Sequence, residues 1–149
     1  MEGKKSTGAV LSVSTDRKSG YVLIDKLQSK KADDKSKSLI ETFKYMPYHL
    51  VKTITFDNGS ENHGHENIAK LLDCETFFCN AYHSWEKGTV ENTIGLIRQF
   101  IPKSTDLTPY TITNVKSIEF ELNTRPRKRL QYSTPSEILR REAGGVLHP

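Results

Sequence analysis

Apolar positions along the chain switch between two periods, every second residue in some stretches and every third or fourth in others, and each switch marks an element. "GAVLSVST" (8–15) and "GYVLIDKL" (20–27) are β-rich runs separated by "DRKS", which predicts two antiparallel strands joined by a short turn. Leu39, Ile40, Phe43 and Met46 follow at helical spacing and Pro47 closes the run, predicting a helix from about 33 to 46. "HLVKTITF" (49–56) is alternating and β-branched, a strand that runs directly into the polar turn "DNGSEN". Beyond it the pattern predicts a short helix over 65–72, a strand over 75–82 and a helix over 89–101. A further helix over 111–123 places Ile112, Val115, Ile118 and Leu122 on one face, and a last helix begins near Pro135. Strands and helices that alternate after an initial hairpin point to an α/β fold with a mixed sheet.

Length and composition narrow this picture without changing it. A chain of 149 residues is expected to be a single domain. Hydrophobic residues at 35% and charged residues at 27% put it away from the disordered class. The net charge of +4, with basic residues concentrated at 26–37 and 125–129, favours a polyanionic partner. Cys74 and Cys79 form no disulfide framework and are expected to be buried thiols in a reducing compartment. The chain has no apolar run near the length of a membrane span and no signal-like start, so a cytoplasmic protein is expected.

Two carboxylates stand where chemistry is expected. Asp57 ends a predicted strand, and Glu91 opens a predicted helix after 33 intervening residues. Both can reach one edge of the sheet, where ligands of α/β folds collect. Carboxylate oxygens suit hard divalent cations, and two such ions about 3.5–4 Å apart stabilise the attacking and leaving oxygens of a phosphodiester displacement. Two carboxylates are few for that task, and an Asp in a "DNG" turn is common for structural reasons alone.

Three longer stretches sharpen the reading. "TITFDNGSEN", "FFCNAYHSWEKGTVENTIGLIRQFIPK" and "LNTRPRKRLQYSTPSEIL", in this order, resemble the transposases of the insertion sequence 30 family, a group related to retroviral integrases, over most of residues 8–140. The resemblance implies a ribonuclease-H-like mixed sheet flanked by helices and a catalytic triad of Asp, Asp and Glu. It further implies two Mg²⁺ (or Mn²⁺) ions, and cleavage and strand transfer of DNA element ends into a DNA target. Asp57 matches the second Asp and Glu91 the Glu, which makes both the implied catalytic residues and metal ligands. Partners so implied are DNA and, for the complete protein, a homo-oligomer, and the implied location is the bacterial nucleoid.

The chain departs from this pattern at its start. "MEGKKSTGAVLSV" looks like the turn and second strand of such a core, so the first strand and its Asp are expected to lie outside the sequence. Residues 1–149 then form an N-terminally truncated integrase-type core, about 8–123, with a basic tail and helix over 124–149. In the family the missing strand sits in mid-sheet, and each backbone group its loss leaves buried and unsatisfied costs about 1–3 kcal/mol. Such a core is expected to be inactive alone. The competing readings are a catalytically dead DNA-binding remnant and a metal-dependent nuclease of the same fold. Asp16, in "TDRKSGYVLI", is read as a turn residue that bonds its own turn rather than as the missing ligand.

Candidate DNA contacts are Lys87, Arg98, Lys103, Arg125, Arg127 and Lys128. Lys87 and Trp85 precede the Glu91 helix in a loop that borders DNA in the superfamily, although Trp85 equally suits a packing role. Arg98 lies seven residues after Glu91, on the same helix face, suited to a phosphate or to solvent. Arg125, Arg127, Lys128 and Arg129 surround a helix-breaking Pro126 and present several cations together. His63 and His65 with Cys74 and Cys79 do not have the spacing of structural zinc sites. Asn58 and Gly59 are read as shaping the turn after Asp57, and Asn92 as a polar helix start beside Glu91.

Overall fold

The computed structural model describes residues 8–29, 31–47, 49–59, 62–80 and 88–144. The first two β-rich runs form β1 (Val10–Thr15) and β2 (Val22–Leu27), antiparallel, with Val13 opposite Ile24 and Thr15 opposite Val22. Asp16 builds the turn between them: its Oδ2 accepts from the Ser19 N–H at 2.6 Å and from the Ser19 hydroxyl at 2.5 Å. Gly20 completes it at φ +69°, a conformation that strains residues with a Cβ. Asp16 is thus the turn residue that the sequence predicts.

Further along come α1 (Ala32–Phe43), β3 (Thr53–Phe56), α2 (His65–Leu72), β4 (Glu75–Phe78), α3 (Gly88–Ile97), α4 (Ile112–Thr124) and α5 (Pro135–Glu142). β3 and β4 are parallel, in register from Thr53 opposite Glu75 to Phe56 opposite Phe78, and α2 supplies the crossover that parallel pairing requires. The predicted strand over 49–56 forms only in its second half, because the chain after Pro47 first makes a turn in which the Leu50 N–H donates to the Pro47 carbonyl at 2.9 Å. The predicted 75–82 strand ends at Phe78, and positions 81 and 82 lie outside the described residues. The helix predicted to reach 46 stops at Phe43, as expected ahead of a proline that disfavours helical geometry in its predecessor. Similarly, α3 stops at Ile97 and continues as turns to Ile101, before Pro102.

The hairpin packs Leu11, Val13, Val22 and Ile24 on one cluster with Ile97, Ile101, Leu107, Val115, Ile118 and Leu122 from α3, α4 and the segment between them. Each such side chain contributes about 1.5–3 kcal/mol when fully buried. Ile112 is the exception: predicted on this face, it is 68% exposed. At about 100° per residue, Val115, Ile118 and Leu122 span about 60° of the helix, whereas Ile112 lies about 90° from their centre. A second cluster joins Leu39 of α1, Phe56 of β3 and Ile68 of α2, with Ile40, Phe43, Ile54 and Leu72 against it. Cys79 is buried, but Cys74 is only half-buried, since it follows the left-handed Asp73 at the α2–β4 boundary.

Among the described residues the strands form two separate two-stranded sheets, β1–β2 and β3–β4. α4 closes the outer edge of β2 with side chains. Asn123, 2% exposed, accepts from the Val22 N–H at 2.8 Å and donates to the Val22 carbonyl at 2.7 Å. One turn earlier, Glu119 accepts from the Ile24 N–H at 2.6 Å and pairs with Lys116 at 2.8 Å, while Lys116 also reaches Asp25 at 3.3 Å. Backbone groups that would otherwise be orphaned are satisfied in this way.

Candidate active site

Asp57 follows the last residue of β3 and is exposed. Asn58 fixes the end of the strand pair by donating to the Cys79 carbonyl at 3.0 Å, the turn-shaping role read from the sequence. Asn62 returns to Asp57 five residues later. Only 3% exposed, its side-chain amide donates to the Asp57 carboxylate Oδ1 at 2.7 Å and to the Asp57 carbonyl at 2.8 Å. Its own oxygen accepts from Lys35 Nζ of α1 at 2.6 Å, which sets the amide's orientation. A cation therefore polarises an amide that holds the carboxylate, and the three groups come from α1, the β3–α2 turn and the end of β3. Neither Asn62 nor Lys35 was predicted. The one signal was that "DNGSEN" ends in a second Asn, which by itself reads as turn chemistry.

Glu91 lies in the first turn of α3, where the helix dipole favours a carboxylate, and it is exposed, as is Asn92. Two helical turns on, Arg98 is half-buried, and its Nη1 is a buried donor with no hydrogen-bond partner among the described residues. Lys103 is exposed in the segment after α3. Lys87 and Trp85 lie outside the described residues. His65, from the set considered for zinc, is engaged in packing: its Nδ1 is 3.2 Å from the Thr76 hydroxyl and its ring meets Phe78 edge-on.

The basic segment joins α4 to α5. Arg127 Nη2 donates to the Leu122 carbonyl of α4 at 2.9 Å, while Arg125, Lys128 and Arg129 are exposed. Burial, and then the charges of Arg129 and Arg125, hold the Arg127 guanidinium below its ordinary value. Thr134 and Glu137 then cap α5 reciprocally.

Asp57 and Glu91 fit a hard divalent cation in kind, being exposed carboxylates at element ends. They do not fit in number. Among the described residues no three His, Cys, Asp or Glu side chains gather into a set that could hold a metal ion.

The fold is similar to that of the catalytic core domain of BIV integrase, with a TM-score of 0.71 over 97% of this chain and 92% of that one, at 17% sequence identity. It is the integrase-core, ribonuclease-H-like class of mixed α/β fold. In sequence the chain is 47% identical over 135 residues to the transposase for insertion sequence element IS4351 of Bacteroides fragilis, covering 91% of this chain and 41% of the relative. It is 39% identical over 126 residues to transposase InsI for insertion sequence element IS30A of Escherichia coli strain K12, covering 85% of this chain and 33% of that one. A probable transposase of Streptococcus salivarius, for insertion-like sequence element IS1161, is 32% identical over 123 residues, covering 83% of this chain and 34% of that protein. No family model matches the chain. Over the matched stretch the chain is similar to transposases of insertion sequence elements, IS30A among them, and it spans less than half the length of these relatives.

Proposed function

We propose that this chain is the larger part of a transposase catalytic core, for the cleavage and strand transfer of DNA, and that it is inactive until a third carboxylate joins Asp57 and Glu91. The observation that carries this reading is the 47% identity to a transposase over 91% of the chain, which includes both carboxylates. Asp57 and Glu91 would hold Mg²⁺ or Mn²⁺, two ions in the complete site. Bound there, such ions would supply Lewis-acid charge neutralisation to a phosphodiester displacement, a chemistry that needs no protein nucleophile. The chain's own residues do the rest. Asn62 and Lys35 hold the Asp57 carboxylate in one orientation, and Arg98 offers its unpartnered donor to a phosphate oxygen. Lys87, Lys103, Arg125, Arg127 and Lys128 contribute contacts to the DNA backbone. The complete protein acts at the nucleoid as an oligomer on paired DNA ends. No helix among the described residues is long and apolar enough to cross a membrane.

The test is an oligonucleotide assay in Mg²⁺ and in Mn²⁺, with the chain alone and with the chain extended by its upstream codons. The chain alone is expected to bind DNA without cutting it. The extended chain is expected to cut and join, and to lose both activities in Asp57→Asn and Glu91→Gln. Joined products from the chain alone would overturn the incomplete-core reading. Nicks without joining from the extended chain would assign a nuclease, and an extended chain that binds but does not react would assign a DNA-binding remnant.

A further inference from the structure

The connection between α4 and α5 does more than a linker requires. From Arg125 to Ser133 it carries Arg125, Arg127, Lys128 and Arg129 and no acidic residue. Its backbone closes on itself: the Leu130 and Tyr132 N–H groups donate to the Arg127 carbonyl at 2.9 and 3.0 Å, and the Arg127 N–H donates to the Ser133 carbonyl at 3.0 Å. Arg127 is tied to the end of α4, and the Arg129 guanidinium lies directly over Gly20 of the β1–β2 turn. The cations thus sit on a loop fixed at two points, which lowers the ordering cost of binding.

Two residues at the tip are out of the ordinary. Gln131 and Tyr132 are consecutive non-glycine residues at φ 53° and 63°, where bulky side chains are strained. Glycine or asparagine would make this turn with less strain. The turn nonetheless carries a tyrosine, and that residue is 71% exposed. Within the same loop, Arg127 Nε is a buried donor without a hydrogen-bond partner among the described residues. Fixed cations beside an exposed aromatic ring match the chemistry of single-stranded nucleic acid, whose phosphates take the charges and whose unpaired bases offer a flat face. A duplex keeps its base faces stacked on one another, and an acidic polypeptide would occupy the cations while giving the ring no flat partner.

We propose that the Arg125–Ser133 loop binds unpaired DNA, with Tyr132 stacking on a base and Arg125, Lys128 and Arg129 holding the flanking phosphates. The proposal rests on the DNA reading above but not on its metal chemistry. The test is therefore fluorescence anisotropy of the intact chain in EDTA, with a blunt duplex and the same duplex bearing a single-stranded overhang. The overhang DNA is expected to bind about tenfold more tightly, the scale of one stacked base. Tyr132→Ala removes that preference and leaves blunt-duplex binding in place, whereas Tyr132→Phe keeps it. Arg125→Ala with Lys128→Ala weakens both DNAs and reduces the salt dependence. Urea unfolding of Tyr132→Ala, expected to be no less cooperative than that of the parent, separates lost stacking from lost folding. Equal affinity for the two DNAs, a preference that survives Tyr132→Ala, or competition by polyglutamate as strong as by overhang DNA would overturn the proposal. If neither DNA binds, the DNA reading itself falls; if both bind and Tyr132 has no effect, only the stacking site does.

Discussion

Asn62 grips Asp57 at two points, giving its side-chain amide to the carboxylate at 2.7 Å and to the backbone carbonyl at 2.8 Å. The carboxylate is thereby held against its own backbone, and Lys35 prevents the amide from flipping. Removing the amide with Asn62→Ala strands the Lys35 ammonium and frees Asp57. We expect a loss of about 1–3 kcal/mol in urea unfolding and, at the metal site proposed around Asp57, affinity weakened about tenfold or more. Asn62→Asp keeps an acceptor for Lys35 but sets a negative charge against Asp57, so titration calorimetry with Mn²⁺ should distinguish the two variants.

The α4 seal on β2 makes a separate prediction. Asn123→Ala leaves the N–H and the carbonyl of Val22 buried without their side-chain partners. At about 1–3 kcal/mol for each orphaned group, the total should be about 2–6 kcal/mol, a large share of a typical domain's stability. Equilibrium denaturation measures this, and an unchanged midpoint would mean that water replaces the amide.

Gly20 is constrained twice, by φ +69° and by the Arg129 guanidinium lying where a Cβ would go. Gly20→Ala should destabilise the chain by about 1–2 kcal/mol. Adding Arg129→Ala removes the collision but not the backbone strain, so the double variant is expected to recover only part of the loss.

Alkaline pH should weaken the fold through two groups. The Tyr21 phenol is raised above 10.0 by burial and then by Glu119. For the Lys116 ammonium burial acts downward, but the hydrogen bond and charge of Glu119, with Asp25, outweigh it and raise the group above 10.5. In both cases the folded chain holds its proton more tightly than the unfolded chain. The stabilisation is therefore complete below these ordinary values and is lost as pH rises through the higher folded ones. Urea midpoints should stay level up to about pH 9 and then fall, and Tyr21→Phe should make the fall shallower.

What could be read in advance follows from the range of the interactions. The hairpin, the Asp16 turn, the α2 helix at 65–72 and the α5 start at Pro135 are specified by neighbours in sequence, and they were legible. Ile112 was misplaced because two successive steps of three residues, 112 to 115 to 118, each turn about 60° the same way and carry Ile112 off the buried stripe. The Lys35–Asn62–Asp57 relay was illegible because it joins residues from different elements, and the pairing of Asn123 with Val22 spans 101 positions. Nothing in an isolated Asn distinguishes such an anchor from a surface amide.

The side chains of Glu119 and Asn123 also give the hairpin a direction. Because they occupy the hydrogen-bonding edge of β2, a further strand can join this sheet only beside β1. A strand that joins beside β1 therefore extends the sheet in one direction only, away from α4, so the sheet has a single growing edge.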